Sequence, residues 1–399
     1  MKMFLKNLTV VIIGAAILGG VYYFWLNKPK APAVVDNPPD NGSEKVEAKQ
    51  GVNLTDFPLK LPDNFQIEVF AKNLPGARVM EFDQQGNMWV SRTSAGRITL
   101  LEIKDNKVVS QNDVLRNLDN PHGLAFDWNN PGMLYFAEEG KITRIATYSD
   151  DTGTKIADLP QGGGHYTRTL NFGPDGRLYV SIGSSCNVCD ERDDRRAAIY
   201  SMKPDGSDFK QFASGLRNTV FFDWSYVDGR MWGTDMGRDN LGDNQPPEEI
   251  NVLTEGKDYG WPVCYGQNIH DTNFDKKVYI QDPCNDKTPP AVEMQAHSAP
   301  LGLAFIPEEG WPEEYWYDLI VAFHGSWNRA VPTGYKLVRV KLDAKGNYES
   351  VEDFITGWFQ GQNAMGRPVD VLTQSGGTMY VSDDKAGMIY KINYLGNAN

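Results

Sequence analysis

The chain has 399 residues, with 39 lysines and arginines against 52 aspartates and glutamates, for a formal net charge of −13. That balance excludes a nucleic-acid partner, because phosphate recognition needs clustered cations. An aromatic content of 12% and 39 glycines favour strands and tight turns over a helical bundle.

The first stretch, "MKMFLKNLTVVIIGAAILGGVYYFWLNKPK", carries Lys2 and Lys6 ahead of an apolar run from Thr9 to Leu26. A run of that length spans a bilayer core of ~30 Å, and Tyr22, Tyr23 and Trp25 stand where an interfacial aromatic belt forms. Two readings stay open: an uncleaved membrane anchor, and a cleaved export signal. No clean A-x-A site and no lipid-accepting cysteine follow the run. Both readings keep the lysines inside and put the body outside the cytoplasm, in a periplasmic setting. Residues 1–27 are therefore read as anchor or signal. Residues 28–53, rich in proline and charge, are read as a linker, and 54–399 as the folded body.

In the body one pattern returns. A short strand of the style "RVMEFD", "GLAFDW", "TLNFGPDG", "TVFFDW", "GLAFIP" or "PVDVLT" precedes a turn and a second apolar strand. The second strands are "GNMWVSR", "GMLYFAEE", "GRLYVSIGSS", "GRMWGTDMG", "YDLIVAFHGSWNR" and "GTMYVSDD", most of them followed by a third. The early units recur roughly every 45 residues and the later ones are stretched by inserts, the mark of a β-propeller. Six units predict an all-β, six-bladed propeller. A β-sandwich is the rival, but it does not account for a six-fold return of one style.

The four cysteines are Cys186, Cys189, Cys264 and Cys284. Export permits disulfides. Pairing Cys186 with Cys189 and Cys264 with Cys284 keeps both loops short, but spacing alone leaves the connectivity open, and a four-cysteine zinc site stays open beside it. "CNVCD" is not a haem attachment site, since Asp190 stands where histidine is needed.

A propeller brings distant loops to one axis, so polar residues at matching positions of several blades are the candidates. Ahead of the first strand of a blade stand His122 in the second, His165 in the third, Arg217 and Asn218 in the fourth, His297 in the fifth and Arg367 in the sixth. Guanidinium groups match carboxylates, which implies an anionic ligand with several carboxylates. An imidazole among them suits a general base. A second constellation, "TDMGRDNLGDNQPPEEIN", offers turn carbonyls near Gly237 with Asp235, Asp239, Asp243 and Glu248 close by. That chemistry suits a hard cation such as Ca²⁺, without EF-hand spacing.

The stretches "GGGHYTRTLNFGPDGRLYVSIGSS", "GLRN", "GRDNLGDNQPPEEIN", "YGWPVCYG", "APLGLAF", "HGSWNR", "GYKLVRV" and "GRPVDV...YVSDD" cover most of the body. Through them the chain resembles the glucose/sorbosone dehydrogenase family, propellers that use pyrroloquinoline quinone (PQQ) with Ca²⁺, in its L-sorbosone dehydrogenase-like branch. The resemblance implies oxidation of a sugar, aldose or related polyol, with His165 taking the hydroxyl proton as hydride passes to the quinone. It implies Arg217 against the quinone oxygens, Asn218 at the cofactor edge, Arg367 on a carboxylate and Arg329 as a second contact. It further implies backbone carbonyls of Gly237 and Arg238 on Ca²⁺, and Ser184 and Ser185 lining the substrate entrance. The chain has no haem motif, so a separate acceptor, a quinone or a cytochrome, is expected. Two departures stand out: Phe221 and Phe222 follow "GLRN" where a small residue is expected, and "GRDNLGD" is an insert relative to the soluble glucose enzymes. Two other classes are weighed against this reading. A calcium-dependent lactonase-type propeller would put acidic ligands on the axis, and a cofactor-free binding propeller would tolerate loss of His165.

Overall fold

The structure, a computed structural model, describes residues 50–150 and 152–396. The expected anchor and all but the last residues of the expected linker lie outside the described residues. Among those described, no helix is long and apolar enough to cross a membrane, and the helical elements are two 3₁₀ turns, Thr93–Ala95 and Glu313–Tyr315.

Six antiparallel sheets make the body, so the expected six-bladed propeller is what forms. The innermost strands are Ala77–Phe82, Leu124–Phe126, Leu170–Phe172, Thr219–Trp224, Pro300–Phe305 and Pro368–Gln374, one per blade in chain order. Around the ring each touches the next, the third blade meeting the fourth through its second strand Leu178–Ile182, and the sixth returns to the first. Second strands such as Leu178–Ile182, Met231–Asp235 and Leu319–Phe323 are buried at every position. That follows from the architecture, since each blade has sheets on both faces and the usual polar alternation gives way to continuous apolar runs.

The ring closes by an exchange between the chain's two ends. Phe65–Ala71 is the strand next to Met388–Tyr394 in the sixth blade, and Phe65 pairs with Tyr394. Phe65 is fully buried and its ring meets Tyr315, Phe354 and Tyr394 at 5.1–5.3 Å. The repeat pattern begins at "RVMEFD" and does not include this strand. On the other edge of this strand, Val52–Asn53 pairs in parallel with Gln66 and Ile67.

The disulfides are Cys186–Cys189 and Cys264–Cys284, with no free thiol among the described residues. This settles the open pairing and removes the four-cysteine zinc alternative. The second bridge pins the excursion between Glu248–Leu253 and Val292–Met294 in the fourth blade, which also carries a small hairpin, Cys264–Tyr265 with Ile269–His270.

Candidate functional site

Innermost and second strands run antiparallel, so the start of one meets the end of the other, as Pro300 meets Phe323 and Pro368 meets Asp383. Residues ahead of the first strand and after the second therefore share one end of the ring. There two adjoining hollows of about 190 and about 300 Å³ are lined in common by His165, Met236, Ala299 and His324. The smaller also takes Arg78 and Asn218. The larger takes Arg217, Gly237, Glu248, His297 and Arg367. Four of the five blades named from the sequence thus meet there.

His165 is placed by its own loop. Arg168 is wholly buried and donates to the carbonyls of Glu139, Pro160, His165 and Thr167 at 2.8–3.2 Å. Gly163 has φ +100°, and a Cβ there would stand 2.6 Å from the carbonyl oxygen of Ser185. The glycine run lets this loop close on the next one.

The His165 ring has a defined proton. Nδ1 lies 3.0 Å from the Ser184 carbonyl oxygen and 2.9 Å from Ser184 Oγ, and that hydroxyl donates to the Cys186 carbonyl at 2.7 Å. Both neighbours of Nδ1 are thus acceptors, so Nδ1 carries the hydrogen and Nε2 keeps its lone pair. Burial, reinforced by the Arg217 charge, lowers the imidazole pKa to about 3. At neutral pH the ring is an uncharged base.

Arg217 is buried, and its guanidinium is spoken for on three sides. Nε donates to the Asn187 carbonyl at 2.9 Å, Nη1 to the Met236 carbonyl at 3.0 Å, and Nη2 to Asn187 Oδ1 at 2.9 Å and Asp239 Oδ2 at 3.3 Å. Arg367 donates from Nε to the His324 carbonyl at 3.0 Å and from Nη2 to the Gly325 carbonyl at 2.6 Å. Two buried polar atoms on the wall, Asn218 Oδ1 and Arg78 Nε, have no partner. A Cβ on Gly183 would stand 2.4 Å from Asn218 Oδ1 and 2.7 Å from the His165 Cβ, so only glycine admits both residues.

Residues that the sequence did not single out complete the wall. His324 Nε2 lies 3.0 and 3.1 Å from the Asp384 carboxylate, and Arg78 Nη1 reaches the same group at 2.8 Å. Burial pushes Asp384 up, but the His324 hydrogen bond and the Arg78 charge outweigh it and hold the carboxyl at about 2. Burial lowers His324 to about 4, so Nε2–H donates to a carboxylate. Glu248 accepts from the Gly237 N–H at 2.7 Å and the Ala299 N–H at 3.2 Å, and burial raises it to about 7. Trp327, largely exposed, and Asn328 stand on the rim of the larger hollow.

The structure also places the remaining residues named from the sequence. Ser184 is wholly buried behind His165, and Ser185 Oγ bonds Glu191 Oε2 at 2.7 Å; neither lines the hollows. Arg329 turns away to the Asp243 carbonyl and to Asn244 Oδ1, while its neighbours Trp327 and Asn328 take the rim. The Arg238 side chain pairs with Asp271 at 2.6 Å in the fourth-blade excursion, although the metal expectation concerned its carbonyl. His122 is fully buried beneath the site, at 3.2 Å from Thr169 Oγ1 and edge-on to Phe221. His297 lines the larger hollow and bonds the Gly242 carbonyl at 2.8 Å. Phe221 and Phe222 sit in the core and line neither hollow beside His165. Carboxylates do line the axis, but at the opposite end of the inner strands, where Glu81, Asp223 and Asp370 edge a third hollow. Among the described residues they form no metal-sized grouping; the one that has ligand spacing, Cys186, Cys189 and Glu191, has both sulfurs in a disulfide.

Fold and site together define a six-bladed propeller whose axis ends in a basic hollow under a neutral histidine. The chain belongs to the TrAA12-like family, whose sequence profile matches residues 59–395. An uncharacterized protein of Borreliella burgdorferi is 32% identical over 84% of this chain and 91% of that one. A pyrroloquinoline quinone-dependent pyranose dehydrogenase of Coprinopsis cinerea is 24% identical over 84% of this chain; the match covers 54% of that enzyme, so this chain spans about half its length. The calcium structure of a Trichoderma reesei carbohydrate-active enzyme of family AA12 superposes with a TM-score of 0.74 at 21% identity, over 86% of this chain and all of that one.

Proposed function

We propose that the protein is a PQQ-dependent dehydrogenase that oxidises a sugar, aldose or related polyol, with Ca²⁺ as the companion ion. The observation that carries this reading is the donor set. Arg78, Arg217 and Arg367 come from separate blades to adjoining hollows, with orphaned polar atoms on Arg78 and Asn218, beside a His165 whose Nε2 is free. Converging guanidinium groups fit a tricarboxylate. Glu248 and Asp239 beside Gly237 supply the oxygen chemistry that a hard cation needs, which supports the expected roles of the Gly237 and Arg238 carbonyls.

When bound, PQQ supplies the two-electron acceptor, chemistry that side chains lack. The chain does the rest. Arg367, Arg78 and Asn218 orient the anionic ligand, and Arg217 offers fixed positive charge that needs no reorganisation. His165 Nε2 accepts the substrate hydroxyl proton while the Nδ1–H stays on Ser184. The extracytoplasmic placement and membrane link read from residues 1–27, and a separate quinone or cytochrome acceptor, belong to the same proposal.

The test is to add PQQ and Ca²⁺ to the purified protein, follow binding by absorbance, and then run a sugar panel with an artificial electron acceptor. Saturable binding with sugar-dependent acceptor reduction is the expected result. No binding at any Ca²⁺ concentration overturns the proposal. Metal-dependent lactone hydrolysis without PQQ would favour the hydrolase class.

A further inference from the structure

The loop between Ser184 and Glu191 contributes no side chain to either hollow, yet it touches much of what does. Asn187 lies inside the small ring closed by Cys186–Cys189. Its carbonyl takes Arg217 Nε–H at 2.9 Å, and its Oδ1 takes both Arg217 Nη2 at 2.9 Å and the Asp239 N–H at 2.7 Å. Its Nδ2 donates to the Asp239 carbonyl at 3.1 Å. Asp239 continues the belt, since its Oδ1 takes Asn328 Nδ2 at 2.7 Å on the fifth-blade rim. The neighbouring Cys186 carbonyl takes the Ser184 hydroxyl that faces His165.

We infer that Asn187 and the Cys186–Cys189 bridge are positioning elements of the site: a disulfide-locked clasp that aims the Arg217 guanidinium at the ligand and ties the third, fourth and fifth blades together. The physical reason is that Arg217 is held by two atoms of one residue, one main-chain and one side-chain. Such a grip orients a planar group only if the backbone between those atoms is itself fixed. A short surface loop has little packing to fix it, and the covalent ring removes the freedom that packing leaves. The ligand side of this inference rests on the proposed function; the clasp itself does not.

The test uses the full chain with Cys186→Ser/Cys189→Ser and, separately, Asn187→Ala. Two readouts are taken, with thermal melting as a control for folding. The first is hydrogen exchange of the Arg217 Nε–H by NMR, assigned by its loss in Arg217→Lys, and it needs no ligand. The second is the dissociation constant for PQQ with Ca²⁺ by absorbance titration. Opening the ring should speed Nε–H exchange by about tenfold or more, and both variants should weaken PQQ binding by roughly 10-fold, the scale of losing one charge-assisted contact. Unchanged exchange in the ring-opened protein overturns the clasp, whatever PQQ does. Faster exchange with PQQ affinity equal to that of the unmodified protein overturns its positioning role. Faster exchange in a protein that never binds PQQ leaves the clasp standing and overturns the proposed function.

Discussion

Replacing His165 by alanine tests the chemistry most directly. Both acceptors around Nδ1 are on Ser184, at 2.9 and 3.0 Å, and they leave Nε2 as the only nitrogen able to take a proton. With the imidazole pKa lowered to about 3, essentially every molecule holds that base ready at pH 7. Alanine removes it, and the other titratable groups of the hollows are already engaged: His324 with Asp384, His297 with the Gly242 carbonyl, Glu248 with the Gly237 and Ala299 N–H groups, and Asp239 with Arg217 and Asn328. General-base catalysis contributes about 10²–10⁴-fold, which is about 3–5.5 kcal/mol of activation free energy. The fold should lose little, because the Ser184 hydroxyl still has the Cys186 carbonyl. PQQ affinity should change by less than about threefold, because the Arg217 and Arg367 clamps do not pass through His165. Steady-state acceptor reduction at saturating PQQ and Ca²⁺ measures the first effect, and an absorbance titration measures the second. A variant that binds PQQ normally and keeps more than about a tenth of kcat would refute the base assignment. A rate limb near pH 6.5, the ordinary imidazole value, that disappears with the substitution would keep the base role and contradict the lowered pKa.

Three further outcomes are expected. Arg367→Ala should weaken PQQ binding roughly 10- to 100-fold, since a hydrogen bond to a charged partner is worth about 1.5–3 kcal/mol, whereas Arg329→Ala, on a side chain turned away to Asp243, should leave it unchanged by the same titration. Stability should fall as pH rises from about 5 to 8. Burial raises Glu81 to about 8, Asp370, Glu248 and Glu249 to about 7 and Asp223 to about 6, so across that window the folded chain holds protons that the unfolded chain has released. The lowered His122, His165 and His324 pull the other way below about pH 6.5 but are outnumbered, so they only flatten the slope there; urea midpoints that climb from pH 5 to pH 8 would contradict this. Phe65→Ala should cost about 3–5 kcal/mol, the usual loss for a buried phenylalanine, because its ring seals the sixth blade; a change below about 1 kcal/mol by chemical denaturation would show that the seam is held elsewhere.

How much was legible depended on whether a residue's position or its orientation mattered. Position was readable. Strand-turn-strand units announced six blades, and polar residues ahead of first strands located His165, Arg217, Asn218, His297 and Arg367 at one end. The same rule extends to Arg78 in the first blade. His324 and Asp384 stand in the loops after second strands, where "AFHGS" and "VSDD" leave their blades at the same level as the residues ahead of first strands. Orientation was not readable. Ser184 faces His165 from behind, and Arg329 yields the rim to Trp327 and Asn328, because side-chain direction at a strand exit depends on how neighbouring blades cover it. Asn187 gave no signal at all, since an asparagine in a polar loop looks like any other.

The pairing of Phe65 with Tyr394 bears on how this molecule comes into being. A ribosome delivers the strand Phe65–Ala71 long before its partner Met388–Tyr394. At synthesis rates of about 5–20 residues per second, that strand waits many seconds with its edge bare while five blades assemble ahead of it. Deletion of Met388–Tyr394 should therefore leave a dangling, aggregation-prone ribbon at Phe65–Ala71, so that damage to one strand is felt at a distant one.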